Sequence, residues 1–102
     1  TQEQYVMKTV WDMGNGTRLW FIKDLLEKKY KKKMMPQTIS TFLKKLVEKG
    51  YIEAYRDGRY ICYKILIDIE EYRKYLLSNS LKFWYDGDVS KFQEDFDLIS
   101  GK

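Results

Sequence analysis

Taken as a pattern of apolar and polar positions, the chain separates into five helical patterns and one alternating pattern. Val6, Val10 and Met13 recur on one helical stripe with Met7 and Trp11 beside it, so residues 3–13 are expected to form a short core helix. Gly14-Asn15-Gly16 ends it with a strong turn signal, and Thr17 is an N-cap or the start of a short extended piece. Leu19, Ile22, Leu25 and Leu26 predict a second helix over 18–28, with Trp20 and Phe21 expected to pack rather than to form a stacking platform. The clearest stripe lies between Pro36 and Gly50, where Ile39, Phe42, Leu43, Leu46 and Val47 follow the i, i+3, i+4, i+7, i+8 rule. Pro36 fits a first helical turn, where its missing N–H costs nothing. Gly50 fits the left-handed residue that closes a helix.

After Gly50 the period changes from helical to alternating. Tyr51–Arg56 and Arg59–Ile67 are rich in Tyr and Ile, and Asp57-Gly58 between them is a hairpin signal. Alternation puts Ile61, Tyr63 and Ile65 on one face and Tyr60, Cys62 and Lys64 on the other, so Cys62 reads as a small strand residue. Three helices followed by a hairpin is the winged-helix plan. Asp68 then makes a good N-cap, with Glu70 and Glu71 complementing the first turn of a helix over about 69–84. Tyr85-Asp86-Gly87-Asp88 reads as a turn, having too few ligands for a metal loop. A last helix over about 88–98 presents Val89, Phe92, Phe96 and Ile99. The expected fold is thus mainly α with a small β wing: a winged helix-turn-helix domain over 1–67 and a helical region over 68–102.

The polar positions carry the functional reading. The face of the third helix opposite its stripe holds Gln37, Thr38, Ser40, Thr41, Lys44 and Lys45, with no carboxylate until Glu48. Short hydrogen-bonding side chains followed by cations suit an edge that reads bases while its lysines meet phosphate. Arg56 and Arg59 flank the hairpin tip, within reach of a nucleic-acid backbone or minor groove. The lysine run 28–33 joins the second and third helices, and reads equally as a solvated connector or as a phosphate contact. Net charge sharpens the picture. The total of +4 divides into fourteen Lys and Arg against seven Asp and Glu over 1–67, and five against eight over 68–102. A basic first part asks for a polyanionic partner.

The tail asks for something else. Ile69, Tyr72, Tyr75, Leu76, Leu77, Leu81, Phe83 and Trp84 give its first helix more apolar surface than the remaining chain can cover. Two apolar helices joined by a turn are expected to bury themselves against a second copy, through Tyr72, Tyr75, Leu76, Phe83, Trp84, Val89, Phe92 and Phe96. A symmetric dimer also suits DNA, because two reading helices then meet two half-sites one turn apart.

Composition closes off other classes. The chain has no histidine and one cysteine, which leaves no zinc site, no Ser-His or Cys-His nucleophile and no internal disulfide, and no cofactor is expected. Glu70 and Glu71 have no surroundings that would split their pKa values for acid–base work. No apolar run approaches eighteen residues and no signal-peptide pattern opens the chain, while the lone Cys62 fits a reducing cytoplasm, the expected setting. An opening on Thr1 fits a trimmed or processed start. A protein-interaction adaptor is the alternative to DNA binding, but it has no use for the acid-free face at 37–45. An RNA-binding role has only the lysine run and the aromatics in its favour.

VMKTVW (6–11), TISTFLKKLVEKGYI (38–52), the Asp57-Gly58-Arg59 wing with Tyr60, Ile61 and Tyr63, and FWYDGDVSKFQEDF (83–96) together resemble the penicillinase-repressor family of winged-helix regulators. The likeness runs along nearly the whole chain, with its motifs in order. It implies a homodimeric repressor on palindromic operators, and it carries family DNA contacts onto Gln37, Thr38, Ser40, Thr41, Lys45 and Arg59. Family members often place a basic residue where Gln37 and Ser40 stand here, which implies a different operator preference. Copper-responsive members carry paired Cys-x-Cys motifs in the tail, absent here. Antibiotic-responsive members are inactivated by cutting an Asn-Phe bond. The matching bond is Asp95–Phe96, so the resemblance makes a regulatory protease a candidate partner, although Asp adds a charge at the cut.

Overall fold

The computed structural model describes residues 1–101. Its contacts divide the chain into two units, Thr1–Ile67 and a second beginning at Asp68. The first unit is built from α1 (Gln2–Met13), α2 (Leu19–Tyr30), α3 (Pro36–Glu48) and the strands β1 (Ile52–Asp57) and β2 (Tyr60–Ile65); the second from α4 (Ile69–Tyr85) and α5 (Val89–Ser100). Three helices followed by a two-stranded antiparallel hairpin make the first unit a winged helix.

Each helix is bounded by local chemistry. Thr1 and Gln4 form a reciprocal capping box at the start of α1. Pro36 occupies the first turn of α3, and Gly50 just past its end has φ +79°, a conformation that costs glycine nothing. The core gathers one stripe from each helix: Val6, Met7 and Val10 from α1, Ile22 and Leu26 from α2, and Ile39, Leu43 and Leu46 from α3, closed by Met34, Ile52 and Tyr63. The Trp11 indole N–H donates to the Ile67 carbonyl at 3.1 Å, which ties α1 to the end of the hairpin.

Four details depart from the expected pattern. Met13 is exposed and Met7 is fully buried, so the buried stripe of α1 is rotated from the one expected. Trp20 and Phe21 do not pack inside; they are 67% and 47% exposed, because α2 turns Ile22 and Leu26 inward instead. α2 runs on to Tyr30, so Lys28 and Lys29 lie in its last turn rather than in a connector. In the hairpin, Asp57 pairs with Tyr60, which makes Gly58-Arg59 the two turn residues. Gly58 takes φ +64°, as the first turn position of a type II′ hairpin requires.

The hairpin faces also differ from simple alternation. Cys62 and Tyr63 are both buried although they point to opposite faces, while Ile61 toward the tip is half exposed. The Tyr63 ring reaches the helical core, and a third short stretch of backbone lies along the edge of this strand. Gly16 N–H donates to the Tyr63 carbonyl at 2.9 Å, Tyr63 N–H donates to the Thr17 carbonyl at 3.0 Å, and Ile65 N–H donates to the Asn15 side chain at 2.7 Å. Residues 15–17 therefore run along β2 as an added edge, with Thr17 bridged to Tyr63.

The second unit is a helix pair. Asp68 caps α4, with its side chain accepting from the Glu70 N–H, and Asp88 caps α5 by accepting from the Lys91 N–H. Asp86 takes the left-handed conformation between them, followed by Gly87.

Leu43 is fully buried at the centre of the α3 stripe. Leu43→Ala should lower unfolding stability by about 2–5 kcal/mol, measured by denaturant titration, because the packed neighbours cannot close the void.

Candidate nucleic-acid interface

Burying Ile39, Leu43 and Leu46 fixes what α3 shows to water. Gln37, Thr38, Thr41, Lys44 and Lys45 are exposed, and Ser40 is half-buried at the edge facing the hairpin. Seven residues of the unit expected to contact DNA thus stand clear of the core: these five, with Arg56 on β1 and Arg59 in the turn. The Thr41 hydroxyl donates to the Gln37 carbonyl at 3.0 Å. Its hydrogen is therefore engaged within the helix, and what it offers outward is a methyl group and oxygen lone pairs. Such a group meets a base-edge donor such as an amino group, or a thymine methyl.

The ion pairs sort the cations into two sets. Lys28 pairs with Asp24 at 3.0 Å, Lys29 with Asp12 at 3.0 Å, Lys33 with Glu27 at 4.0 Å and Lys49 with Glu3 at 2.8 Å. Asp12 also accepts from the Tyr30 hydroxyl. Its hydrogen bond to Lys29 raises that ammonium's pKa above its ordinary value. Three of the five lysines in the 28–33 run are thereby answered by the protein's own carboxylates, while Lys31 donates to the Lys28 carbonyl and Lys32 lies over the Tyr5 ring. Of the first unit's cations, Lys8, Arg18, Lys23, Lys31, Lys32, Lys44, Lys45, Arg56, Arg59 and Lys64 have no carboxylate within ion-pair distance among the described residues. Five of these ten, Arg18, Lys44, Lys45, Arg56 and Arg59, lie on α3, at the turn end of the hairpin and just before α2.

Sequence reasoning did not single out Arg18. Its guanidinium lies 4.2 Å from the centre of the Tyr60 ring and 4.8 Å from that of Phe21. A cleft of about 320 Å³ opens beside it between the start of α2, Ser40 of α3 and the hairpin. The one available signal was the run Arg18-Leu19-Trp20-Phe21, where an arginine precedes two adjacent aromatics that a single helical stripe cannot bury together. No group of His, Cys, Asp and Glu among the described residues is arranged to hold a metal ion.

In the second unit, none of the described residues of α4 or α5 is buried. Tyr72, Leu76 and Phe92 are half-buried; Tyr75, Phe83, Trp84, Val89 and Phe96 are exposed. Leu98 and Ile99 at the end of α5 are also exposed, and Leu98 went unnoticed in the sequence because it follows the stripe by only two positions. The two helices are joined by an edge-to-face contact of Tyr85 with Phe92 at 5.5 Å, and by the Tyr85 hydroxyl donating to Asp95 at 3.0 Å. Lys91 lies 3.8 Å from Asp95. The Asp95–Phe96 bond falls inside α5.

Comparison with known proteins gives two findings. The family model described as penicillinase repressor matches residues 1–96. The penicillinase repressor of Bacillus licheniformis is 28% identical over 103 residues, an alignment that covers 98% of this chain and 78% of that protein.

Since Lys45 and Arg59 hold no ion pair and stand in water, Lys45→Ala and Arg59→Ala should each shift unfolding stability by less than about 0.5 kcal/mol in denaturant titration. Any effect of these substitutions on binding is then read free of folding.

Proposed function

The chain belongs to the penicillinase repressor family and is a transcriptional repressor, and from that premise we propose that it binds palindromic operator DNA as a homodimer. The observation that carries this reading is the exposed, acid-free face of α3, whose Lys44 and Lys45 have no carboxylate partner and stand with the unpaired Arg56 and Arg59 of the hairpin. α3 lies in the major groove, with Gln37, Thr38, Ser40 and Thr41 at base edges and Lys44 and Lys45 on phosphates. Arg56 and Arg59 carry the hairpin onto the neighbouring backbone or minor groove. Such a partner sets the protein's place of work in the cytoplasm, and no helix among the described residues is long and apolar enough to cross a membrane.

The homodimer forms through α4 and α5. Phe83, Trp84, Val89 and Phe96 supply exposed apolar surface, and a buried aromatic or large aliphatic side chain contributes roughly 1.5–3 kcal/mol. Half-buried Tyr72, Leu76 and Phe92 serve at the margin, with Phe92 also holding the pair together through Tyr85. Removal of the chain after Asp95 takes Phe96, Leu98 and Ile99 from this surface, which is how a cut at Asp95–Phe96 would release the operator. A protease takes its substrate extended, so that cut first requires α5 to unwind past the hold of Tyr85 and Lys91 on Asp95.

Selection from random duplexes should enrich a palindrome, and affinity for it should fall steeply as salt rises, because each phosphate neutralised releases counterions. Thr41→Ala should relax base preference at one position of each half-site by about 1–3 kcal/mol. Lys45→Ala should weaken all duplexes evenly and flatten the salt slope by about one per subunit. Enrichment of nothing palindromic, or salt-independent binding, overturns the reading in favour of an adaptor.

Sedimentation at micromolar concentration should show a dimer. Trp84→Asp should shift it toward monomer by setting an unpaired charge in the apolar contact, and truncation after Asp95 should weaken dimer and operator affinity together. A wild-type chain that sediments as a monomer places the apolar faces of α4 and α5 against something other than a second copy.

A further inference from the structure

The aromatic cleft beside Arg18 is left over once the α3 face and the hairpin tip have been assigned. Trp20, Phe21, Tyr60 and Ile61 are each about half or more exposed, and all four line this one cleft. Large apolar side chains gathered in one exposed place mark a surface that something covers. Arg18 lies against the rings of Phe21 and Tyr60, so its guanidinium is held in position before any partner arrives. Arg59 stands on the hairpin side of the same cleft, also without a carboxylate. Ser40 of α3 closes it, one residue from Thr41 and one helical turn from Lys44.

We propose that this cleft is a third contact region for operator DNA, in which Arg18 meets a backbone phosphate and Trp20, with Tyr60 and Ile61, packs on the adjoining deoxyribose. The inference rests on the DNA reading above and extends it to residues that reading does not use. A nucleic-acid backbone alternates an anion with an apolar sugar, and the cleft presents a fixed cation beside apolar rings. Its charge is of one sign: Arg18 and Arg59 face it, and no carboxylate is among the residues that line it. A folded protein partner needs roughly 800 Å² on its side of a stable interface, far more than a cleft of this size supplies. Through Ser40 the cleft is continuous with the α3 face, so a duplex seated on α3 already passes beside it.

The two parts of the contact leave different signatures. Affinity of the full-length protein for its selected operator is measured by fluorescence anisotropy over a series of salt concentrations. Trp20→Ala should weaken binding about tenfold with an unchanged salt slope, since an apolar contact releases no counterions. Arg18→Ala should weaken it and flatten the slope by about one per subunit. Neither should alter base preference, in contrast to Thr41→Ala, and Trp20→Phe should keep most of the affinity because it keeps an apolar ring. Circular dichroism melting of Trp20→Phe alongside wild type checks folding, and its retained binding separates a lost contact from a lost fold. If Trp20→Ala and Arg18→Ala bind as wild type while Lys45→Ala is weakened, the cleft is no DNA contact and the DNA reading stands without it. If Trp20→Ala lowers self-association in sedimentation and leaves operator affinity per dimer unchanged, the cleft receives a second copy and the proposal is wrong. If wild type selects no duplex, both readings fall together.

Discussion

The interaction on which the winged helix depends is a short backbone ladder: Gly16 and Thr17 bonded to both sides of Tyr63, with Asn15 reaching to Ile65. A two-stranded hairpin is marginal by itself in water. Here it gains a third edge from the very segment that joins α1 to α2, so the hairpin cannot move without disturbing the helical core. Tyr63 is the pivot. Its backbone takes both bonds, and its ring is buried with Ile39, Leu43 and Ile52 in the core cluster. Everything proposed to touch DNA is measured from this junction. Arg18 follows Thr17 directly, Tyr60 and Arg59 lie three and four residues before Tyr63, and Ser40 belongs to the helix whose stripe packs beneath it.

Charge placement follows a second rule, visible only in three dimensions. An excess of seven cations over residues 1–67 states an amount and not a location. Exposed ion pairs such as Lys28–Asp24 contribute little to stability, typically about 0–1 kcal/mol. Their larger consequence is neutralisation. Asp12, Asp24, Glu27 and Glu3 answer Lys29, Lys28, Lys33 and Lys49, and none of these carboxylates stands against the cations of the α3 face, the hairpin tip or Arg18. The same carboxylates placed on the α3 face would have left the net charge unchanged and set repulsion where a phosphate is to approach.

Much of this was legible in the sequence, for identifiable reasons. The α3 stripe has five apolar residues at helical spacing between a proline and a glycine, each confined to its position by local geometry, so its existence and orientation follow from neighbours alone. The caps at Asp68 and Asp88 are local in the same way. What was illegible depends on distant partners. Asp-Gly announces a turn without saying which of its residues lead it; cross-strand pairing of Asp57 with Tyr60 decides that. Tyr63 is buried because its ring reaches the helical core, and Cys62 on the opposite face lies beside Gly16, which arrives from far along the chain. Trp20 and Phe21 carry apolarity that pointed inward, yet α2 had already spent its core-facing positions on Ile22 and Leu26. The cleft was missed for that reason.

The helix pair at 69–100 presents the opposite situation, with much apolar surface and little to bury it within the unit. A helix of twelve residues such as α5 is marginal in water by its own propensity. Within its unit it has the Tyr85–Phe92 contact, one hydrogen bond from Tyr85 to Asp95 and a cap. On the dimer reading, the missing stabilisation comes from the second copy, so ordering α5 and associating are one event. Operator affinity then depends on protein concentration through the folding of a helix pair distant in sequence from α3. It also means that Asp95 acts twice. Its bond with Tyr85 joins α5 to the end of α4, which on the proposed reading holds α5 in the form that presents Phe96 and Ile99 to a second copy and keeps the Asp95–Phe96 bond helical. On the dimer reading, association and protection against cutting are two consequences of one helix being formed.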